Sequence, residues 1–522
     1  MASSRRLVSS GFSTCGDFIT GNGGGNQPCG LKGYIVDQMP GPLLLAFALG
    51  SLARIILFDA KSLWHDEALS LIIAGQPSMG GTWDLARRLQ YGSPLYFLGL
   101  HAWFAVTGPG EIAARLFSVL GGALALWFAL RLVAETSPRG ACTYALLMVA
   151  LLPFSIEYSQ EARMYSWLAA FELIASLALW RGLVAPRSSW ASAYGIAMAL
   201  ASLTHAGVWI WWGAHALAVT FSPRRTAVGK RFIVATVPSV LLTVAVMAAS
   251  GELWAKRIEA AFQRPSFHEY LRQTAVLLSS GHHAGWLSGW WLPLAVVAFA
   301  AAGFVALWRV NRRREALFLA AQAAVPVLAV YAGICLGLST KLRYVIAAPV
   351  PLIVLVAAGM NACPRVLRAA AVALMLAQQA GSFYGWHLRP PDLEPTFCML
   401  SKKPLRQAVE LVTGRWREGD TIVHVSTASL LPFMCMAPRL PKFYLVGNPD
   451  FGGALAASPV GAPRPLMEAL TGARRLWLVS CPWRFSDPPV VPEELRGTIE
   501  HFCSAPALFR LNGMDIYLSD VK

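Results

Sequence analysis

Apolar runs of about twenty residues, long enough to cross the hydrocarbon of a bilayer, recur from residue 41 to residue 386 of this 522-residue chain. They leave it few folds to choose from. With 56% hydrophobic and only 14% charged residues, the expectation is a polytopic α-helical membrane protein. The formal charge of +16 would suit a nucleic-acid partner, but much of it falls in short turns between apolar runs, where orientation of the helices already accounts for it. No nucleic-acid partner is expected.

Where the basic residues fall also sets the direction of the helices. The run "SPLYFLGLHAWFAVTG" at 93–108 is short and holds Pro94 and His101, so it reads as an interfacial or re-entrant helix rather than a span. The remaining runs lie near 41–59, 111–134, 139–156, 164–182, 189–204, 206–222, 232–250, 286–308, 316–338, 344–361 and 366–386, about eleven spans in all. With residues 1–40 as a flexible cytoplasmic tail, the inner turns become "TSPRG", "RGLVAPRSS", "SPRRTAVGKR", "WRVNRRREA" and "NACPRVLRA", every one basic. Counting 93–108 as a span would place all of them outside.

That topology gathers the unusual residues on the outer face: "WHDEALS" at 64–70, "EYSQEARMYS" at 157–166, Thr204 and His205 in a tight turn, the long loop 251–285, and "LSTKLRYV" at 338–345. Ionisable groups at the bilayer edge that orientation does not require are functional candidates, with snorkelling and plain ion pairing as the competing explanations. The long loop carries Lys256, Arg257, Arg264 and Arg272 on the side where basic residues should be scarce. An amphipathic helix on anionic headgroups, or a site for a phosphate-bearing lipid, would account for them. His282 and His283 could ligate a metal but lack a paired Cys or acid at fixed spacing.

From about residue 388 the composition changes. Helix-like "LRQAVELVTG" and "VPEELRGTIEH" alternate with strand-like "DTIVHVS", "KFYLVG", "RRLWLVS", "ALFRLN" and "MDIYLSD", the pattern of a small α/β domain. Domains are therefore expected at 1–40, 41–387 and 388–522. On the outer side, Cys398, Cys435, Cys481 and Cys503 would form up to two disulfides. The domain contains no phosphate-binding glycine loop.

Five motifs in order, "SLWHDEALS", "SPLYFLGLHAWF" with "GEIAARLFSVL", "EYSQEARMYS", "LTHAG" and "KLRYVIAAPVP", resemble those of bacterial GT-C glycosyltransferases related to protein O-mannosyltransferases and to the lipid A aminoarabinose transferase. The similarity covers roughly residues 41–361. It implies an inverting membrane-embedded enzyme that moves a sugar from a polyprenyl-phosphate donor to a hydroxyl of a lipid, glycan or protein. The site would face the periplasm from the inner membrane, with membrane lipids around it. Such a reaction needs a base near the acceptor hydroxyl and positive charge on the departing phosphate.

Carried over onto this sequence, the resemblance makes Asp66 the base or acceptor-orienting group, with Glu67 in support and Glu161 as a further catalytic residue that would help orient the acceptor or hold a metal. Both acids of the pair could instead cap the helix that follows. Arg163, Lys341 and Arg343 are candidates for the donor phosphate, against an internal Glu161–Arg163 ion pair and headgroup anchoring. His65, Tyr165, His205 and Tyr344 are candidates for the acceptor site or pocket. No cofactor is certain; the carboxylates at 66, 67 and 161 would also suit a divalent cation. A lipid-linked glycan flippase is the competing function, for which charges in mid-span and inverted repeats would be the signature.

Overall fold

The computed structural model describes residues 40–89, 94–222, 225–248, 265–282, 290–338, 340–388, 402–440, 443–445, 466–482, 491, 493–504 and 506–522. Residues 1–39 of the expected tail, Lys256, Arg257, Arg264, His283 and Cys398 lie outside these residues.

The chain opens with α1 (Pro40–Ile55), then two short helices, α2 (His65–Ala74) and α3 (Met79–Leu89), before α4 (Leu95–Thr107) and α5 (Glu111–Thr136). α6 (Arg139–Ala150) and α7 (Pro153–Ser159) make one broken unit, followed by α8 (Tyr165–Val184), α9 (Ser188–Thr204), α10 (Trp209–Thr220) and α11 (Arg225–Ala248). Helices Phe267–Ser280, Trp291–Arg309, Arg313–Cys335, Pro349–Asn361 and Arg365–Leu388 complete the bundle. Among the described residues seven helices are long and apolar enough to cross a membrane. The chain is a multi-pass membrane protein. The run at 93–108 forms only the 13-residue α4, about 20 Å long at 1.5 Å per residue and too short to span.

Two ends of the bundle differ in chemistry. At the end where α5 finishes, Arg312 donates to the carbonyl of Thr136 at 3.1 Å and Arg314 to that of Leu183 at 3.4 Å. Arg181 pairs there with Glu135 at 2.6 Å, and Arg368 donates to Asn361 at 2.7 Å. The basic turns thus share one end. Since α5 has 26 residues, about 39 Å of helix, its acidic start lies at the other end, with α2.

Local breaks shape that second end. α6 stops at Ala150, so the carbonyl of this last residue has no intrahelical donor. Buried Arg54 donates to it at 3.2 Å, to the carbonyl of Gly50 at 2.7 Å and to Ser155 Oγ at 2.8 Å. Gln160 closes α1 by donating to the carbonyl of Ile56 at 2.9 Å, while its Oε1 meets His387 Nε2 at 2.8 Å. Helices Trp291–Arg309 and Pro349–Asn361 cross where Gly303 and Gly359 meet. A Cβ on either would strike the other helix's backbone, the small-residue packing that brings membrane helices close when no apolar solvent effect drives them together.

The C-terminal sheet has the order β2-β1-β3-β5-β4. β1 (Asp420–His424) pairs in parallel with β2 (Phe443–Leu445) and β3 (Arg475–Ser480); β5 (Met514–Asp520) is antiparallel to β3 and β4 (Ala507–Leu511). Successive strand residues point to opposite faces. Ile422, Trp477 and Val479 therefore pack with helices Leu405–Arg415 and Thr427–Met436, while Val423, Leu476 and Leu478 pack with Leu466–Leu470 and Glu493–Phe502. Parallel strands covered on both faces read as continuous apolar runs, which is why these strands were visible in the sequence. Helix Thr427–Met436 was not expected. It docks the domain on α2: Leu431 joins the membrane-domain core and the Cys435 thiol donates to the carbonyl of Ala68 at 3.6 Å.

The expected disulfides are corrected here. Cys435, Cys481 and Cys503 are free thiols. Cys481 and Cys503 belong to apolar clusters on opposite faces of the sheet, which separates those two, while Cys435 is turned toward the Ala68 carbonyl of α2.

Candidate active site

α2 begins at His65, with Trp64 before it and no side chain capping it. Asp66 and Glu67 sit in its first turn, a favourable place for acids, yet their carboxylates reach cations on other elements. Neighbours on a helix diverge by about 100°, and the two acids enter different surroundings.

Glu67 is fully buried. Arg115 of α5 grips it with both arms, Nε to Oε1 and Nη2 to Oε2 at 2.9 Å each. The Ala162 N–H adds a bond at 3.0 Å and Lys402 Nζ one at 3.2 Å. Burial pushes the carboxyl up, but Arg115 and Lys402 outweigh it and hold the group below the usual glutamate range. Arg115 also meets Glu111 at 2.8 Å and Asp59 at 3.3 Å.

Asp66 keeps 18% of its side chain exposed. Arg163 Nη2 stands 3.9 Å away and Arg343 Nη1 3.6 Å away, with His65 Nδ1 at 3.2 Å. Here too burial pushes the carboxyl up, and Arg163, the His65 hydrogen bond and Arg343 together hold it well below the usual aspartate range. Arg163 donates instead to the Asp66 carbonyl at 3.1 Å and to Ser70 Oγ at 3.3 Å. The two guanidinium groups thus flank the Asp66 carboxylate beyond hydrogen-bond range.

Arg343 lies in a single turn of 3₁₀ helix, Leu342–Val345, and is buried. Its guanidinium lies 5.1 Å from the Tyr165 ring centre, and its Nε has no partner among the described residues. In the same turn Tyr344 packs on His205 at 4.4 Å between ring centres, and His205 reaches Tyr165 at 5.9 Å. The His205 Nδ1 accepts from the Gly207 N–H at 2.9 Å, which fixes its ring. Lys341, half-buried, begins this turn, its carbonyl accepting from the Tyr344 N–H at 3.0 Å.

Glu161 is 1% exposed, and neither of its oxygens has a hydrogen-bond partner among the described residues. An internal Glu161–Arg163 ion pair is not what forms: their contact is between main chains, the Arg163 N–H donating to the Glu161 carbonyl at 2.7 Å. Lys402 stands 3.6 Å from Glu161. Burial raises this carboxyl, and Lys402 only partly offsets it.

Several residues at this end were not singled out from sequence. Arg115 had a signal, being a cation four residues into an apolar span. Lys402 had none. Trp386 takes Lys61 over its ring at 4.6 Å and Lys402 at 6.0 Å, and desolvation, with Lys402 nearby, brings Lys61 down to about 8. His282, a metal candidate from the sequence, instead pairs through Nδ1 with Glu157, which was not singled out. Among the described residues no three His, Cys, Asp or Glu side chains stand together as a metal site; Glu67 spends both oxygens on Arg115.

No protein-family model matches the chain, and no curated protein is similar to it in sequence. Solved structures are similar in fold. ArnT from Cupriavidus metallidurans in the apo state superposes with a TM-score of 0.60 at 13% identity, covering 92% of this chain and 98% of that one. The fold is that of ArnT. The same ArnT bound to undecaprenyl phosphate superposes at 0.55 with 15% identity and the same coverage. AglB from Archaeoglobus fulgidus, an archaeal oligosaccharyltransferase, gives 0.48 at 11% identity, over 92% of this chain and 74% of its own. The ArnT fold extends over the bundle and into the C-terminal sheet domain alike.

Proposed function

We propose that the chain is an inverting glycosyltransferase that takes a sugar from a polyprenyl-phosphate donor and passes it to a hydroxyl of a lipid, glycan or protein acceptor. Its site would open on the periplasmic side of the inner membrane. The observation that carries this reading is the partly exposed Asp66 carboxylate, flanked at 3.6 and 3.9 Å by Arg343 and Arg163. Two guanidinium groups near one accessible acid leave positive charge for a second anion, and a guanidinium is suited to a phosphate's oxygens. The ArnT structure that shares this fold was obtained with undecaprenyl phosphate, a polyprenyl monophosphate.

In this reaction the acceptor oxygen forms a bond to the anomeric carbon as the bond from that carbon to the phosphate oxygen breaks. The electron pair leaves with the phosphate, where Arg343 and Arg163 stabilise it. The acceptor's proton goes to Asp66. In the structure as it stands Asp66 is held too far down to be a strong base. A bound phosphate would compete for the two guanidinium groups and let the Asp66 pKa rise, so donor binding itself would ready the base. Tyr165, His205 and Tyr344 form the wall beside Arg343, suited to a sugar ring or the acceptor.

The test is transfer by purified protein in detergent, with a panel of polyprenyl-phosphate sugars and with and without chelator. Product formation supports the reading, and the chelator arm reads any need for a divalent cation. Translocation of a lipid-linked glycan across vesicles without transfer would overturn it in favour of a flippase.

A further inference from the structure

The segment that leads from the last bundle helix into the sheet domain is tied to the site by two cations four residues apart. Arg406, 36% exposed, holds Asp59 at 3.1 Å and Glu111 at 3.2 Å on the rim. Its main-chain N–H donates to Ser62 Oγ at 3.2 Å. Lys402 points inward instead: its side chain is 2% exposed and lies 3.2 Å from Glu67 and 3.6 Å from Glu161. The four acids so gripped come from the α1–α2 connection, α2, the start of α5 and the α7–α8 connection. These elements also carry Asp66 and Arg163.

Glu67 already has a full partner in Arg115, so the balance of charge turns on Glu161. It is buried, accepts no hydrogen bond among the described residues, and faces Glu67 as well as Lys402, Arg343 and His282. A buried carboxylate without hydrogen bonds is costly unless a cation stands by it. Lys402 supplies one, and supplies it from the far side of the chain.

We infer that Lys402 is a positioning residue of the active site, brought in by the C-terminal domain to hold Glu67 and Glu161 side by side and so fix the α7–α8 connection that carries Arg163. The domain thereby completes the site that the bundle begins. This rests on the glycosyltransferase reading above.

The experiment compares transfer kinetics and undecaprenyl-phosphate binding for Lys402→Ala, Lys402→Arg, Arg406→Ala and Glu161→Gln, and for the Lys402→Ala/Glu161→Gln double variant. Lys402→Ala should lower kcat by about a hundredfold, the scale of a displaced catalytic group, with the donor KM within about twofold. Lys402→Arg should recover at least about tenfold of that loss. Arg406→Ala, which unties only the rim, should stay within about threefold of wild type. In the Glu161→Gln background the further loss on removing Lys402 should shrink to about threefold, because the charge it balances is gone. The double variant also retains a test should Lys402→Ala alone fail to fold. Equal losses in Lys402→Ala and Arg406→Ala, or full additivity with Glu161→Gln, would reduce Lys402 to a domain anchor and overturn the inference alone. Absence of transfer by the wild-type protein would overturn the glycosyltransferase reading and this inference with it.

Discussion

On one side of α2 Glu67 is fully buried and bound by two arms of Arg115, a main-chain N–H and Lys402; on the other Asp66 remains 18% exposed and touches its two arginines only loosely. The residues are adjacent in sequence and of like charge, so the difference comes wholly from their surroundings. A carboxylate whose lone pairs are all taken in a dry site is a fixed part of the frame. One with water access, and with cations nearby but beyond hydrogen-bond range, can bind, lose and exchange partners. A charged cluster at a membrane face therefore does not by itself mark chemistry. How tightly each member is held separates frame from site.

The largest effect should come from breaking the frame. Arg115→Ala leaves Glu67 buried with its main partner gone, and should cost about 3–5 kcal/mol of stability, seen as a lower unfolding temperature and poor yield. The pair's pH dependence has a definite sign. Because the Glu67 pKa is lowered on folding, its contribution is present above the ordinary carboxyl pKa of about 4.3 and is lost as pH falls below it. Wild type should thus lose more thermal stability than Glu67→Gln on going from neutral pH to acid. Equal losses would mean that Glu67 is not the charged member of the clamp.

Asp66→Asn should do the reverse of Arg115→Ala: unfolding near wild type, and transfer slower by about a hundredfold or more, the scale of general base catalysis. Near-normal turnover would erase the contrast between the two acids. Arg343→Ala should weaken undecaprenyl-phosphate binding by about tenfold, with Arg343→Lys intermediate because a point charge replaces a planar fork. Unchanged binding would return Arg343 to the role of a counter-ion for Asp66. The smallest effect belongs to His65. His65→Ala removes one hydrogen bond to the Asp66 carboxylate and should slow transfer by about fivefold; a loss as large as that of Asp66→Asn would mean that His65 takes part in the proton transfer.

The sheet domain shows how well local pattern carries. Strands at 420–424, 475–480, 507–511 and 514–520 lie inside the stretches expected from their apolar and β-branched residues. Helix Thr427–Met436 went unseen because "TASLLPFMCM" includes a proline and has no polar face to mark its period; it is apolar all round because it is the domain's foot on α2. In the site, Asp66, Arg163, Arg343, Tyr165, His205 and Tyr344 share one corner of the bundle. The clamp on Glu67 was hidden. Its ion pairs join residues 48 and 335 positions apart, and no local pattern carries that information.

The sequence by itself determined a multi-pass helical bundle, one basic end, an opposite end where acids and bases gather, and a small α/β domain after it. Each follows from composition and periodicity, which act over one or two turns or along one span. Only the tertiary structure decided which acid is frame and which remains accessible, that Glu161 meets Lys402 rather than Arg163, and that the cysteines stay apart. Those outcomes depend on side chains brought together from distant segments, where a shift of about an ångström decides whether a charge is held or left available.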